Sequence, residues 1–154
     1  MVTVYTDGAC QGNGKKENSG GFGVVAINEK QEIIEQYSKL CSNTTNNREE
    51  LKAILYALIK YGTQETAAWE LHPQTPPIVY SDSAYAVNTL TNWMFSWEKN
   101  NWKKADKQTP ENLDLIQAYF ELYQKGYRID LRKVKGHAGN KWNEMADALA
   151  TGRI

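Results

Sequence analysis

The alternation of apolar and polar positions predicts strands at the start of the chain. Val2–Thr6 alternates, and Gly21–Ile27 and Glu32–Leu40 are two more strand-like runs, joined by the polar turn Asn28–Gln31. Because a short turn joins antiparallel neighbours, we expect the chain to open with three antiparallel strands.

Apolar positions at helical spacing follow these strands. Leu51, Ile54, Leu55 and Leu58 recur with a helical period after the polar run Thr44–Asn47, whose side-chain oxygens can cap a helix start. The pattern therefore predicts a first helix directly after the third strand.

The second half of the chain alternates strands with helices. Ile78–Tyr80 is a short apolar run typical of a buried parallel strand, and Ser81–Ser83 can cap the helix that follows it. Thr109–Glu111 combines a cap residue, a proline and an early acid, which predicts another helix start, and Tyr127–Leu131 alternates as a strand. A last helix, ending near Gly152, has its apolar positions at Trp142, Met145, Ala146 and Leu149.

This order of elements predicts an α/β fold in one domain spanning residues 1–154. A sheet that begins with antiparallel strands and later gains strands through helical crossovers must be mixed, with helices covering its faces. Between the two halves, Gly62–Pro77 has three prolines and no clear period, so a surface loop is expected there. A hydrophobic content of 41% is sufficient for one core.

Composition excludes several classes of protein. No apolar run approaches the roughly 18 residues of a membrane span, and the first residues lack the basic and apolar blocks of a signal peptide. We therefore expect a cytoplasmic protein, and a monomer because the pattern has no exposed apolar seam. Cys10 and Cys41 are too few for a disulfide framework and too isolated for a zinc site, so buried free thiols are expected.

The net charge is zero, but the basic residues are clustered. One segment contains Lys99, Lys103, Lys104 and Lys107, and a second contains Lys125, Arg128, Arg132, Lys133, Lys135 and Lys141. Runs of this kind occur on solvated faces as well as on surfaces that bind nucleic acid, so charge alone does not decide between the two.

Four carboxylates are placed where they can meet. Asp7 ends the first predicted strand and Asp82 follows the buried one, and in open α/β sheets this edge is where ligands bind. Glu50 lies near the start of the first helix and Asp147 flanks the apolar stripe of the last, so both can reach the same edge.

Each of these acids also has a structural explanation. Asp7 can belong to a turn, and Asp82 can cap a helix. Glu50 is favourable near a helix N-terminus, and Asp147 can face solvent. Taken together, however, clustered carboxylates repel one another unless cations lie between them, and hard oxygen ligands suit Mg²⁺ or Mn²⁺.

Four short segments carry these acids and a histidine. They are Tyr5–Cys10, Thr44–Leu51, Tyr80–Ser83 and Val134–Gly139, which read YTDGAC, TTNNREEL, YSDS and VKGHAG. In order and spacing they resemble the signature motifs of bacterial-type (type 1) ribonuclease H over nearly the whole chain. The resemblance implies a ribonuclease H-like fold, with a mixed five-stranded sheet whose first three strands are antiparallel and with helices on both faces.

The resemblance also implies a chemistry, the endonucleolytic hydrolysis of the RNA strand of RNA–DNA hybrids to 5′-phosphate and 3′-hydroxyl products. Two Mg²⁺ ions, for which Mn²⁺ can substitute, would be held by Asp7, Glu50, Asp82 and Asp147. One ion would activate the attacking water and the other would stabilise the leaving 3′ oxygen. His137 would move protons for the water or assist product departure.

Substrate contacts are implied near the first helix. Asn13, Asn46 and Asn47 would meet the minor groove or backbone of the hybrid, and Thr45 would lie near a DNA phosphate. Turn and capping chemistry explains the same residue types.

A second substrate contact is implied for the segment Trp93–Lys107, which resembles the basic protrusion of the family. Lys103 and Lys104 would meet DNA phosphates there. Trp93 belongs to the same substrate-binding set, although Trp93 and Trp97 are expected to pack rather than to stack on bases.

Two other interpretations stay open. A different nuclease, or an integrase core on the same sheet, would use similar carboxylates on DNA, although Asn46–Arg48 and Val134–His137 disfavour it. A metal-free module could bind duplexes through the basic protrusion, although the presence of all four acids disfavours that. Ala84 and the long loop Gly12–Gly21 depart from the family pattern and leave the fine substrate preference undetermined.

Overall fold

The computed structural model describes residues 1–12, 18–65, 74–136 and 139–153. The strands are β1 (Thr3–Gln11), β2 (Ser19–Ile27), β3 (Ile33–Ser42), β4 (Thr63–Gln64), β5 (Ile78–Ser81), β6 (Tyr127–Arg128) and β7 (Asp130–Lys133). The α-helices are α1 (Asn46–Tyr61), α2 (Ala84–Asn88), α3 (Met94–Lys99), α4 (Leu113–Gln124) and α5 (Lys141–Ala150), and a π-helical turn, Thr89–Trp93, joins α2 to α3.

Five strands form the main sheet in the order β3-β2-β1-β5-β7. β1 pairs antiparallel with β2, and β2 antiparallel with β3. On its other edge β1 pairs parallel with β5, which in turn pairs parallel with β7. The mixed five-stranded sheet with three antiparallel opening strands is therefore confirmed.

Helices cover both faces of the sheet, as predicted, because successive residues of a strand point to opposite sides. Val4 packs on one side in a fully buried cluster with Ala53 and Ala57 of α1. Tyr5, its neighbour, packs on the other side with Ala146 of α5. The alternation of β1 thus separates two apolar layers and leaves α1 and α5 on opposite faces.

A further apolar cluster joins α1 to the helices of the second half of the chain. Ile54 and Leu58 of α1 are fully buried against Met94 of α3 and Ile116 of α4. The apolar positions that predicted α1 therefore lie on the face that this helix buries.

The predicted start of α4 is wrong by a few residues. The helix begins at Leu113 rather than at Thr109–Glu111, because Asn112 has a left-handed backbone with φ of 60° and interrupts the helix. The Asn112 side chain donates a hydrogen bond to the hydroxyl of Tyr85 at 3.0 Å. This tertiary contact overrides the local capping preference of Thr109 and Pro110.

The prediction of a single strand over Tyr127–Leu131 is wrong, because this range is divided between two strands in two different sheets. Tyr127 and Arg128 pair with Gln64 and Thr63 in a separate two-stranded ladder, and only β7 joins the main sheet. Strands of two residues are too short to carry a period, so β4 had no signal in the sequence.

The prediction of buried thiols is also wrong. Cys10 and Cys41 are both free and partly exposed, since they lie near the ends of β1 and β3 rather than in the core. In the part of the chain that the structure describes, no helix is long and apolar enough to cross a membrane.

Candidate active site

Three carboxylates meet at one edge of the main sheet. Asp7, Glu50 and Asp82 each offer an oxygen, and these oxygens all lie within 4.8 Å of one another. Asp7 lies on β1 and Asp82 directly follows β5, the parallel neighbour of β1. Glu50 comes from α1, which crosses the same edge. We call these three residues the acidic cluster.

Gly8 brings the helix and the strand together. A Cβ atom at this position would lie 2.2 Å from the backbone nitrogen of Glu50, so only a glycine allows α1 to approach β1 this closely. The Gly8 N–H donates to Oδ1 of Asp7 at 2.9 Å and to Oε1 of Glu50 at 2.7 Å. One backbone group therefore holds two carboxylates of the acidic cluster.

Ser81 fixes the other oxygen of Glu50. Its fully buried hydroxyl donates to Oε2 of Glu50 at 3.2 Å and accepts a hydrogen bond from the N–H of Ser83 at 3.1 Å. Glu50 is thus oriented through both of its oxygens, by β1 on one side and by the end of β5 on the other.

Burial and mutual repulsion dominate the electrostatics of the acidic cluster. Asp7 is 4% exposed and Glu50 is 6% exposed. Burial is the largest cause that raises the pKa of Asp7, and a hydrogen bond to Glu50 and the nearby charges of Glu50 and Asp82 raise it further. Burial also raises the pKa of Glu50, with the charge of Asp82 adding to it, against the hydrogen bond from Asp7. Without a cation, the site therefore retains a proton that a bound cation would displace.

Asp147 lies beside the acidic cluster without being one of its three members. The nearby carboxyl of Asp147 is the smallest of the named causes that raise the pKa of Asp7. On its other side, Oδ2 of Asp147 accepts a hydrogen bond from Nη2 of Arg153 at 2.5 Å. The structure therefore brings three of the four predicted carboxylates together and places the fourth between Asp7 and an arginine.

His137 lies outside the described residues, so its predicted role is not tested by geometry. The residue before it is located, however, since a Cβ atom at Gly136 would lie 2.9 Å from Oδ2 of Asp82. The residue that precedes His137 in the chain therefore lies against the acidic cluster.

The residues predicted to contact substrate near α1 have local structural roles as well. Oγ1 of Thr45 accepts a hydrogen bond from the N–H of Arg48 at 3.1 Å and caps α1. Asn46 and Asn47 form the first turn of α1 and, with Thr45, line a groove that opens to solvent. Asn13 lies outside the described residues.

The first of the two basic runs, Lys99–Lys107, which we call the basic segment, extends from the end of α3. Lys103 is exposed, and its Nζ donates to Oγ1 of Thr109 at 2.8 Å, while Lys104 is half-buried. Trp97 packs against the core, with its ring centroid 6.1 Å from that of Trp93. Trp93 is 42% exposed, so its ring contacts Trp97 and also remains partly accessible to solvent.

Three residues that matter for this geometry had no predicted role. Gly8 and Ser81 belong to the recognised motifs, and their place next to Asp7 and Asp82 was the available signal. Arg153 had no signal, since it reaches Asp147 only after the chain turns back at the end of α5.

Comparison with known proteins gives a consistent result. The family model described as RNase H matches residues 1–154. The Ribonuclease H of Syntrophomonas wolfei is 39% identical over 155 residues, which cover 99% of this chain and 95% of that protein. Among solved structures, LC9-RNase H1, a type 1 RNase H with the type 2 active-site motif, is 32% identical with a TM-score of 0.71, covering 98% of this chain and 70% of that one. LC11-RNase H1, solved in complex with an RNA/DNA hybrid, shares the fold with 19% identity and a TM-score of 0.67, covering 99% and 95% of the two chains.

Proposed function

This chain belongs to the ribonuclease H family, and we propose that it cleaves the RNA strand of RNA–DNA hybrids endonucleolytically, leaving 5′-phosphate and 3′-hydroxyl ends. The observation that carries this proposal is the acidic cluster, with oxygens of Asp7, Glu50 and Asp82 within 4.8 Å of one another. Carboxylates this close, two of them buried, are costly unless cations lie between them.

The donor set fits a hard divalent cation. It contains carboxylate oxygens rather than thiolates or imidazoles, and such oxygens are the ligands that Mg²⁺ and Mn²⁺ prefer. Asp7, Glu50, Asp82 and Asp147 would hold two Mg²⁺ ions, for which Mn²⁺ can substitute. When bound, these ions supply an activated water and charge stabilisation at the attacked phosphate and the leaving 3′ oxygen.

The protein's own groups hold this site in shape. The N–H of Gly8 and the hydroxyl of Ser81 each donate to one oxygen of Glu50, at 2.7 and 3.2 Å. Both donors belong to the sheet, so Glu50 is held by rigid elements before substrate arrives. His137, the next residue after Gly136, would transfer protons near the attacking water or the leaving group, and Gly136 itself lies against Asp82.

Two surfaces would hold the hybrid. At the start of α1, the groove of Thr45, Asn46 and Asn47 offers small polar groups suited to a minor groove, where RNA is told from DNA by its 2′-hydroxyls. Asn13 would belong to the same set. On the basic segment, Lys103 and Lys104 would meet DNA phosphates, and the exposed ring of Trp93 would lie beside them. The solved hybrid complex of LC11-RNase H1, a protein with this fold, supports a hybrid as the ligand.

Cleavage assays on three duplexes test the proposal. Labelled RNA–DNA hybrid, duplex DNA and duplex RNA of one sequence are incubated with the protein, with and without Mg²⁺. We expect cuts in the RNA strand of the hybrid only, and only with Mg²⁺. Cleavage of duplex DNA would favour a different nuclease on this fold, and binding without any cleavage would favour a metal-free duplex-binding module.

A further inference from the structure

Asp147 is held by an arginine from beyond the end of its own helix. Nη2 of Arg153 donates to Oδ2 of Asp147 at 2.5 Å, and the two groups form an ion pair. Nε of the same guanidinium donates to Oγ1 of Thr151 at 2.8 Å. Two hydrogen bonds therefore fix the orientation of the Arg153 side chain over Asp147.

The backbone at the end of α5 is folded to make this contact. The N–H of Arg153 donates to the carbonyl of Ala148 at 2.9 Å, and that of Gly152 to the carbonyl of Leu149 at 3.3 Å. Gly152 has φ of +74°, the left-handed conformation that this type of helix end requires. The turn reverses the chain and returns Arg153 to the level of Asp147.

Asp147 therefore lies between an acidic neighbour and a basic one. On one side its carboxyl lies near enough to Asp7, a member of the acidic cluster, to raise the pKa of Asp7. On the other side it pairs with Arg153, whose side chain is 61% exposed, whereas that of Asp147 is 26% exposed. A cation approaching the acidic cluster would meet Asp147 with its charge already offset by the guanidinium.

We propose that Arg153 is a positioning residue that competes with a divalent cation for Asp147, so that it weakens metal binding next to the acidic cluster. The inference rests on the proposed function, in which Asp147 is one of the four metal ligands. Mg²⁺ binding then requires the Asp147 carboxylate to exchange its guanidinium partner for the cation. Arg153 thereby sets the Mg²⁺ concentration at which the site fills.

The test measures Mg²⁺ binding by isothermal titration calorimetry, with thermal unfolding to verify that each variant is folded. For Arg153→Ala we expect a dissociation constant for Mg²⁺ that is lower by about two- to fivefold, the range for a partly exposed ion pair. Arg153→Lys keeps the charge and should bind Mg²⁺ like the wild type. Arg132→Ala removes an exposed ion pair with Asp130 on β7 and is the matched control, for which no change is expected.

A double-mutant cycle shows whether the effect passes through Asp147. If it does, Arg153→Ala changes the dissociation constant in the wild-type background and leaves it unchanged in an Asp147→Asn background. An unchanged or higher dissociation constant for Arg153→Ala overturns the inference, and so does an equal change in both backgrounds. These results leave the proposed function standing when the wild type binds Mg²⁺ and cleaves the hybrid. A wild type that does neither overturns the proposed function and the inference together.

Discussion

Gly8 lies so close to Glu50 that a Cβ atom on Gly8 would come within 2.2 Å of the Glu50 backbone nitrogen. The same glycine donates its N–H to the carboxylates of both Asp7 and Glu50. Helix α1 and strand β1 are therefore in contact at Gly8, beside Asp7 and Glu50. The backbone contact at Gly8 sets the distance between these two carboxylates.

Gly8→Ala should damage the site through this contact. The added methyl group must push α1 away from β1, which we expect to destabilise the fold by about 1–3 kcal/mol, as overpacking does, and to move Glu50 from Asp7. Denaturant unfolding measures the first effect, and hybrid cleavage by the folded protein measures the second.

Gly62→Ala is a matched control for that variant. A Cβ atom at Gly62 would lie 2.4 Å from the carbonyl oxygen of Leu58, so it also clashes with α1, but at the opposite end of the helix from Glu50. We expect a comparable loss of stability with near-normal cleavage. Equal losses of cleavage in both variants would mean that Gly8 acts only on stability.

The raised pKa values of Asp7 and Glu50 predict how stability depends on pH without metal. Both carboxyls have a higher pKa in the folded protein than in the unfolded chain, where it is ~4. Their contribution to stability is therefore complete below about pH 4 and is lost as the pH rises through the folded pKa values. Asp7→Asn removes the repulsion, so its stability relative to the wild type should increase between pH 5 and pH 8.

Thermal unfolding across this pH range in a metal chelator measures the difference. Asp106→Asn, which changes an exposed aspartate on the basic segment, is the control and should show no pH-dependent gain. An Asp7→Asn variant that is less stable than the wild type at pH 8 would show that the carboxylates do not repel in the folded state. Excess Mg²⁺ should abolish the advantage of Asp7→Asn, since it stabilises only the wild-type site.

The sheet and the position of the carboxylates were predictable because they follow from local patterns. Alternation in β1 and the helical period of α1 define which faces are buried, and strand ends place Asp7 and Asp82 at one edge. The contact of Arg153 with Asp147 was not predictable, because it depends on how the chain turns after α5. The start of α4 was missed for a similar reason, since Asn112 adopts its backbone conformation with a tertiary contact to Tyr85.

The basic segment should bind the hybrid through charge. Each lysine that neutralises a DNA phosphate adds roughly 0.9 to the slope of log affinity against log salt concentration. Replacing Lys103 and Lys104 by alanine should therefore weaken hybrid binding and flatten this slope, with thermal stability nearly unchanged because Lys103 is exposed and Lys104 is outside the buried core. A titration of labelled hybrid at several salt concentrations measures the slope.

Two control variants separate charge from position and from packing. Lys30→Ala combined with Lys39→Ala removes two exposed lysines that belong to neither basic run of the sequence and should leave the slope unchanged. Trp97→Ala should lower the free energy of unfolding by about 3 kcal/mol, with little change in slope, because Trp97 packs against the core. If the Lys103 and Lys104 double variant keeps the wild-type slope and KM, the basic segment is only a solvated face.

Adjacent glutamates on α1 provide the most direct test of the acidic cluster. Glu50 belongs to the cluster, whereas Glu49 is fully buried away from it, accepting a hydrogen bond from Oγ1 of Thr44 at 2.6 Å and pairing with Lys52 at 2.8 Å. Glu50→Gln and Glu49→Gln therefore make the same chemical change one residue apart. Single-turnover cleavage of a labelled RNA–DNA hybrid in Mg²⁺ should fall by more than about 10²-fold for Glu50→Gln and stay near the wild-type rate for Glu49→Gln. Near-normal cleavage by Glu50→Gln, or an equal loss in both variants, would contradict the assignment of catalysis to the acidic cluster.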